Sequence, residues 1–192
     1  MPRENGIVIG VVADLDDPEQ LGRVRVKLPY LSDEVSDWCR IASPLGGKDR
    51  GWFLRPEKDD EVLLACEFGD PRRMYVVGGV WSKADPPPGD DGKKTDNNWR
   101  FFRSRSGHVL KFDDTSGAER IEIAGSGGTQ QIVIDVSGKK IEITCSSGDM
   151  SLSAPQGKLS INAKEVEIKA SASMSVEAGT SMTVKGQTVA IN

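Results

Sequence analysis

The sequence predicts an all-β protein in two parts, a small barrel followed by a long stack of very short strands. Three observations predict it. Apolar and polar residues alternate almost throughout; no stretch of ten or more residues spaces its apolar side chains as a helix would; and beyond residue 100 an apolar-x-apolar pair recurs again and again.

The first 81 residues hold five strand-like runs, at Ile7–Ala13, Arg23–Pro29, Trp38–Ala42, Glu61–Phe68 and Met74–Trp81. Turn-forming clusters separate them, among them Asp16-Asp17-Pro18, Gly46-Gly47-Lys48-Asp49 and Gly69-Asp70-Pro71. Val62-Leu63-Leu64-Ala65-Cys66 is apolar at consecutive positions, which predicts a bent strand covered on both sides. Five antiparallel strands in so few residues suit a small closed barrel of the OB type, because closure removes the sheet edges. Residues 82–99 then form a linker, with Pro86-Pro87-Pro88 followed by Gly89-Asp90-Asp91-Gly92 and Asn97-Asn98. The expected division is therefore a barrel over 1–81, a linker over 82–99 and a repeat region over 100–192.

In the repeat region the pairs are Leu110/Phe112, Ile121/Ile123, Ile132/Ile134, Ile141/Ile143, Met150/Leu152, Leu159/Ile161, Val166/Ile168, Met174/Val176, Met182/Val184 and Val189/Ile191. Their first members step by 7 to 11 residues, the middle residue is usually polar, and Gly or Ser commonly follows. Each unit reads as one short strand with two side chains inward and one outward, then a corner. Burying two aliphatic side chains does not offset the backbone entropy of ordering such a unit, so stacking must supply the rest. The region is a β-helix or β-prism, closed either by one chain wrapping three faces or by three intertwined chains. The thin repeats favour three chains, with the neighbours of each strand lying in other subunits.

Composition narrows the function. The chain has 192 residues, with 25 Lys plus Arg against 29 Asp plus Glu, for a net charge of −4. That weighs against a nucleic-acid partner, whose phosphates need a basic face. No long apolar block opens the sequence, so synthesis in the cytoplasm without a signal peptide is expected. Cys39, Cys66 and Cys145 have no paired spacing and read as small buried or half-buried hydrophobes. His108 is the single histidine, and with no nucleophile elbow near it a structural role is expected. Asp113 and Asp114 are adjacent, so on a strand they face opposite ways. Asp14-Leu-Asp16-Asp17-Pro18-Glu19 fails the spacing of a calcium loop, and Gly125-Ser-Gly-Gly128 lacks the third glycine of a dinucleotide loop. No catalytic residue, cofactor or metal is expected. Trp38, Trp52, Trp81, Phe53, Phe68 and Tyr75 read as core or subunit contacts rather than stacking platforms, and Arg72-Arg73 as a solvated turn or a contact with another protein.

A resemblance follows from several of these stretches in register. Gly6-Ile-Val-Ile-Gly-Val-Val, Asp17-Pro-Glu-Gln-Leu-Gly22-Arg-Val-Arg-Val-Lys-Leu-Pro29, Trp38-Cys-Arg-Ile-Ala-Ser-Pro44, Gly51-Trp-Phe-Leu-Arg-Pro56, Gly69-Asp-Pro71 and Val77-Gly-Gly-Val-Trp81 together resemble the OB-fold of phage baseplate assembly protein V and VgrG-type spikes. Arg103-Ser-Arg-Ser-Gly-His108 with Phe112-Asp-Asp114 is similar to the junction into the β-helix of those spikes. The resemblance implies a non-enzymatic, homotrimeric, membrane-puncturing central spike of a contractile injection machine, resident in the baseplate of a phage or phage-tail-like particle. It implies an intertwined triple-stranded β-helix needle whose trimer core is built by the inward pairs from Leu110/Phe112 to Met182/Val184. It also implies a hub protein at the N-terminal end, a PAAR-repeat tip protein on Val189, Ala190, Ile191 and Asn192, and contact with a target cell envelope during injection. The alternative is an OB-fold module that binds oligosaccharide or nucleic acid, with an appended β-solenoid.

Overall fold

The computed structural model describes residues 6–88 and 96–190. Among them there is no α-helix; three single 3-10 turns interrupt an otherwise β architecture. The strands are β1 (Ile7–Asp14), β2 (Arg25–Leu28), β3 (Glu34–Val35), β4 (Arg40–Ile41), β5 (Gly46–Gly47), β6 (Arg50–Gly51), β7 (Glu61–Cys66), β8 (Met74–Gly79), β9 (Trp99–Arg103), β10 (Val109–Asp113), β11 (Arg120–Ala124), β12 (Gln130–Asp135) and β13 (Lys140–Cys145). Two compact units divide the chain, residues 1–144 and 145–192.

The first sheet runs β3-β2-β1-β7-β8-β4, antiparallel except for the β4–β8 pair. It curls until Val24, just before β2, reaches Cys39, just before β4, and the two backbones exchange hydrogen bonds of 3.0 and 2.8 Å. This bridge draws the sheet into a curled half-barrel, consistent with the OB domain expected. Val12, Val24, Val26, Leu28, Cys39, Val62, Leu64, Met74 and Val76 fill its interior. Period-two geometry selects them: Val62 and Leu64 on β7, and Met74 and Val76 on β8, point the same way at every second position.

The expectation that Val62–Cys66 is covered on both sides is corrected here. Val62 and Leu64 are fully buried, whereas Leu63 and Ala65 are only half-buried, so a single apolar interior sets the pattern. β7 stops at Cys66, short of the expected Phe68, because Phe68 turns into the left-handed region (φ 52°, ψ 27°). Trp38–Ala42 shrinks to β4 because Cys39 is spent on the bridge to Val24 while Arg40 and Ile41 pair with Tyr75 and Val76.

The expected linker opens on a described stretch through Pro88; Gly89-Asp90-Asp91-Gly92 lies outside the described residues, and Trp99 already belongs to β9. β9 to β13 form a five-stranded antiparallel meander in sequence order. Neighbours of β10, β11 and β12 are thus strands of the same chain, where other subunits had been expected. Short turns are the reason. Ser104 and His108 close one hairpin by a 2.9 Å backbone bond, Gly125 and Gln130 close another at 2.9 Å, and Gly138 N–H donates to Asp135 Oδ1 at 2.7 Å in a third. A strand joined to its neighbour by so short a loop pairs at little entropic cost. Beyond Cys145, where β13 ends, the described residues hold no strand, and each from Ser146 to Ala190 is exposed.

Leu64→Ala is expected to cost about 2–5 kcal/mol, since it opens a cavity in a packed interior. Leu54→Ala, on the 53 % exposed Leu54, should cost far less. Urea unfolding monitored by circular dichroism measures both.

Candidate functional site

Local charge pairing shapes the loop after β1. Asp17 is buried, and its carboxylate accepts the N–H groups of Glu19 at 3.1 Å, Leu21 at 2.9 Å and Arg23 at 3.1 Å. Its main partner is the Arg23 guanidinium at 2.7 Å, which also reaches Glu19 at 2.8 Å. That guanidinium, helped by the backbone donors, holds the Asp17 carboxyl far below the ordinary carboxylate range against the opposing effect of burial. The acidic stretch from Asp14 to Glu19 is therefore folded around an arginine. Across the barrel, Arg72 pairs with Asp70 at 2.9 Å and draws its carboxyl down to about 2, while Arg73 pairs with Glu67 at 3.1 Å. Cys39 is buried, which pushes its thiol up, and Cys66 and Cys145 are half-buried.

His108 Nδ1 accepts the Ser126 N–H at 3.0 Å and so ties two hairpin loops together. Asp113 is buried and accepts from Thr115 Oγ1 at 2.6 Å, whereas Asp114 faces outward to Arg100 at 3.1 Å. Among the described residues no group of three or more His, Cys, Asp or Glu side chains comes together as a metal site would require. No helix is long and apolar enough to cross a membrane.

Apolar surface is what the molecule offers. On the meander, register places Phe102 opposite Leu110, Leu110 opposite Ile123, Phe112 opposite Ile121, Ile121 opposite Ile134 and Ile123 opposite Ile132. Six residues expected to point inward thus share one face, and Leu110, Phe112, Ile123, Ile132 and Ile134 stand 38–51 % exposed. The opposite face closes on itself: Lys111 Nζ sits 4.6 Å from the Trp99 ring centroid and 2.8 Å from Glu122, leaving the Lys111 and Glu122 side chains only 12 % and 21 % exposed. The apolar face is the bare one. Ile141 and Ile143 on β13 are 69 % and 60 % exposed. In the second unit Met150, Leu152, Leu159, Ile161, Val166, Ile168, Met174, Val176, Met182 and Val184 range from 52 % to 73 % exposed. Val189 and Ala190 are exposed as well, and Ile191 and Asn192 lie outside the described residues.

A second apolar surface escaped the sequence reading, which took Gly46-Gly47-Lys48-Asp49 as a separator between strands. It belongs to a hairpin, β5–β6, and the chain that follows forms an arm on which Trp52, Phe53 and Leu54 are exposed. Gly51 is indispensable there: at φ +143° an added Cβ would lie 2.4 Å from the Leu45 carbonyl oxygen. Phe53 lies over Gly22, where a Cβ would meet its ring at 3.0 Å. Arg55 pins the base of the arm to the carbonyls of Leu15 and, at 2.9 Å, Arg23. Between arm and barrel wall runs a groove of about 900 Å³, and around it Leu21, Leu45, Trp52, Phe53 and Leu54 are 52–77 % exposed. The glycine spacing, Gly46-Gly47 then Gly51, was the signal available for it.

Comparison with known proteins gives these surfaces a context. Residues 8–81 match the Type VI secretion system/phage-baseplate injector OB domain. The chain is similar to the type VI secretion system spike protein VgrG5 of Pseudomonas aeruginosa, 28 % identical over 127 residues, which cover 62 % of this chain and 16 % of that protein. It is also similar to VgrG1a of the same organism, 23 % identical over 141 residues, which cover 68 % of this chain and 22 % of that protein. The chain thus spans less than a quarter of the curated relatives it matches. Its first part matches an injector OB domain, and the chain is similar to spike proteins of the VgrG type.

The Asp17–Arg23 pair gives an acid-stability test. Because Asp17 titrates lower in the folded than in the unfolded chain, its contribution is fully present above the unfolded value near 3.9 and is lost as pH falls toward the folded one. Asp17→Asn should lower the melting temperature at pH 7, and the gap to the parent protein should narrow below about pH 4. Thermal melts from pH 7 to pH 2 measure it.

Proposed function

We propose that this chain is the structural central spike of a contractile injection machine, a homotrimer whose repeat region is a triple-stranded β-helix needle. One observation carries the reading: a single copy leaves the inward pairs bare, with Leu152 73 % and Ile168 71 % exposed in a stretch whose described residues from Ser146 to Ala190 are all exposed. Exposed apolar surface on that scale marks an interaction site. Three copies related by a three-fold axis supply the missing neighbours and turn the bare faces into a shared dry interior, as the recurring pairs require. The similarity to type VI secretion system spike proteins supports the same reading.

The role is mechanical. A prism closed by three chains has no lateral edge to peel, and axial load spreads over interchain hydrogen bonds. Outward Glu142 and Glu167 with Lys139, Lys169 and Lys185 keep the shaft wetted and close to neutral. In this scheme the barrels attach to a hub protein at the N-terminal end. Val189, Ala190, Ile191 and Asn192 form the three-fold platform for a PAAR-repeat tip protein, and the needle crosses the target envelope when the machine fires. No step calls for a catalytic group or cofactor, and the barrel needs no nucleic acid.

Light scattering on the purified protein should give three times the chain mass. Ile143→Asp and Ile168→Asp, each placing three like charges around one axis, should abolish assembly, while Glu142→Gln should leave it intact. Equal tolerance at the three positions, or a monomer in the parent protein, overturns the reading.

A further inference from the structure

In the first sheet β8 outruns its partner β4. The two pair only at Tyr75 and Val76, and the last bond between them runs from the Ala42 N–H to the Val76 carbonyl at 2.7 Å. The chain then leaves for the β5–β6 hairpin, while β8 continues through Val77, Gly78 and Gly79 with β7 on one side and the groove on the other. Val80 N–H donates to the Glu61 carbonyl at 3.0 Å, so by the alternation of an antiparallel ladder Gly79 turns its own N–H and carbonyl away from β7. They face the groove as the start of an open strand edge.

Gly79 also leaves a side-chain place empty. It lies opposite Val62, which is fully buried, and so on the inward face, where period two calls for an apolar group. Neither Gly78 nor Gly79 takes a positive φ, and the bulge beside them falls at Val77, so the backbone does not require glycine at either position. Lack of room is not the reason either: a Cβ at Gly78 meets nothing within 4 Å, and one at Gly79 meets only the Glu61 carbonyl oxygen, 3.9 Å away. Glycine that a strand does not itself need marks the approach of another group. An extended polypeptide complements both features at once, because it brings a row of backbone donors and acceptors and a side chain at every second residue.

Charge narrows the segment further. Arg40, Arg50 and Arg55 line the groove against the carboxylates of Asp49 and Asp60. Asp60 already accepts the Glu57 N–H at 2.8 Å, whereas Arg50 is exposed on β6. The cationic excess favours a carboxylate on the incoming chain.

We propose that this edge is a strand-addition site: an extended acidic segment of a partner protein, apolar at alternate positions, pairs with β8 over residues 77–79 and seats one apolar side chain over Gly79. The inference stands apart from the trimer proposed above, since it uses neither the repeat region nor a second copy of the chain.

Random octapeptides displayed on phage and panned on the full-length protein supply the probe. Enriched sequences should alternate apolar residues and carry Asp or Glu. The enriched peptide, made synthetically, should slow hydrogen exchange at the Gly79 amide at least tenfold. Of two versions methylated at the odd or at the even backbone nitrogens, one should lose at least tenfold in affinity and the other keep it, because an added strand bonds through one edge. Gly79→Val should raise the melting temperature, since its place is open and its backbone conformation suits valine, and should cut the affinity at least tenfold. The proposal is overturned if no sequence is enriched, if the peptide binds the Gly79→Val protein as tightly as the parent, or if both methylated versions behave alike. A Gly79 amide that exchanges slowly in the protein alone and faster on dilution overturns it too, since a second copy then fills the edge.

Discussion

A strand of five or six residues offers two or three side chains to each face, and between Trp99 and Cys145 the chain runs through five such strands. On the meander the face carrying Lys111, Glu122 and Trp99 satisfies itself through an ion pair and a cation–π contact. The face carrying Leu110, Phe112, Ile121, Ile123, Ile132 and Ile134 has nothing to lie against within the sheet. Every other feature of the repeat region depends on that asymmetry. The polar side is finished within one chain, and the apolar side is left exposed.

The asymmetry grows along the chain. Over residues 99–145 short turns let successive strands pair, so backbone groups find partners even while the apolar face stays open. Beyond Cys145 there are neither strands nor buried residues among those described. Under the trimer proposed here, the meander would hold its backbone geometry from the start, and the later repeats would acquire theirs from neighbouring copies. That order favours correct register, because a strand slipped by one residue would turn its aliphatic pair outward.

The barrel solves the opposite problem. Its interior is complete with nine buried side chains, and its closure at Val24 and Cys39 takes only two backbone hydrogen bonds. Loops do much of the shaping: Asp17 and Arg23 fold the turn after β1, while Glu67, Asp70, Arg72 and Arg73 fold the turn before β8. With charge absorbed in these turns, apolar groups are free to appear at the periphery, and the arm carrying Trp52 and Leu54 is where they appear.

Period-two alternation and recurring aliphatic pairs are local properties, so the β class, the order of barrel and repeats, and the shared face of Leu110 through Ile134 could be read directly from the residues. The spacing of two between pair members decides which face they share, whatever lies beyond. The closing role of Cys39, the Asp17–Arg23 pairing and the arm after Gly46-Gly47 depend on groups far apart in sequence or on backbone angles that a residue type permits without requiring. Glycine at 51 allows φ +143°, but only the approach of the Leu45 carbonyl makes it obligatory. Likewise the alternation specified one apolar face per strand, while the pairing of β9 to β13 within a single chain was decided in three dimensions, where short turns bring neighbouring strands together before distant ones can compete.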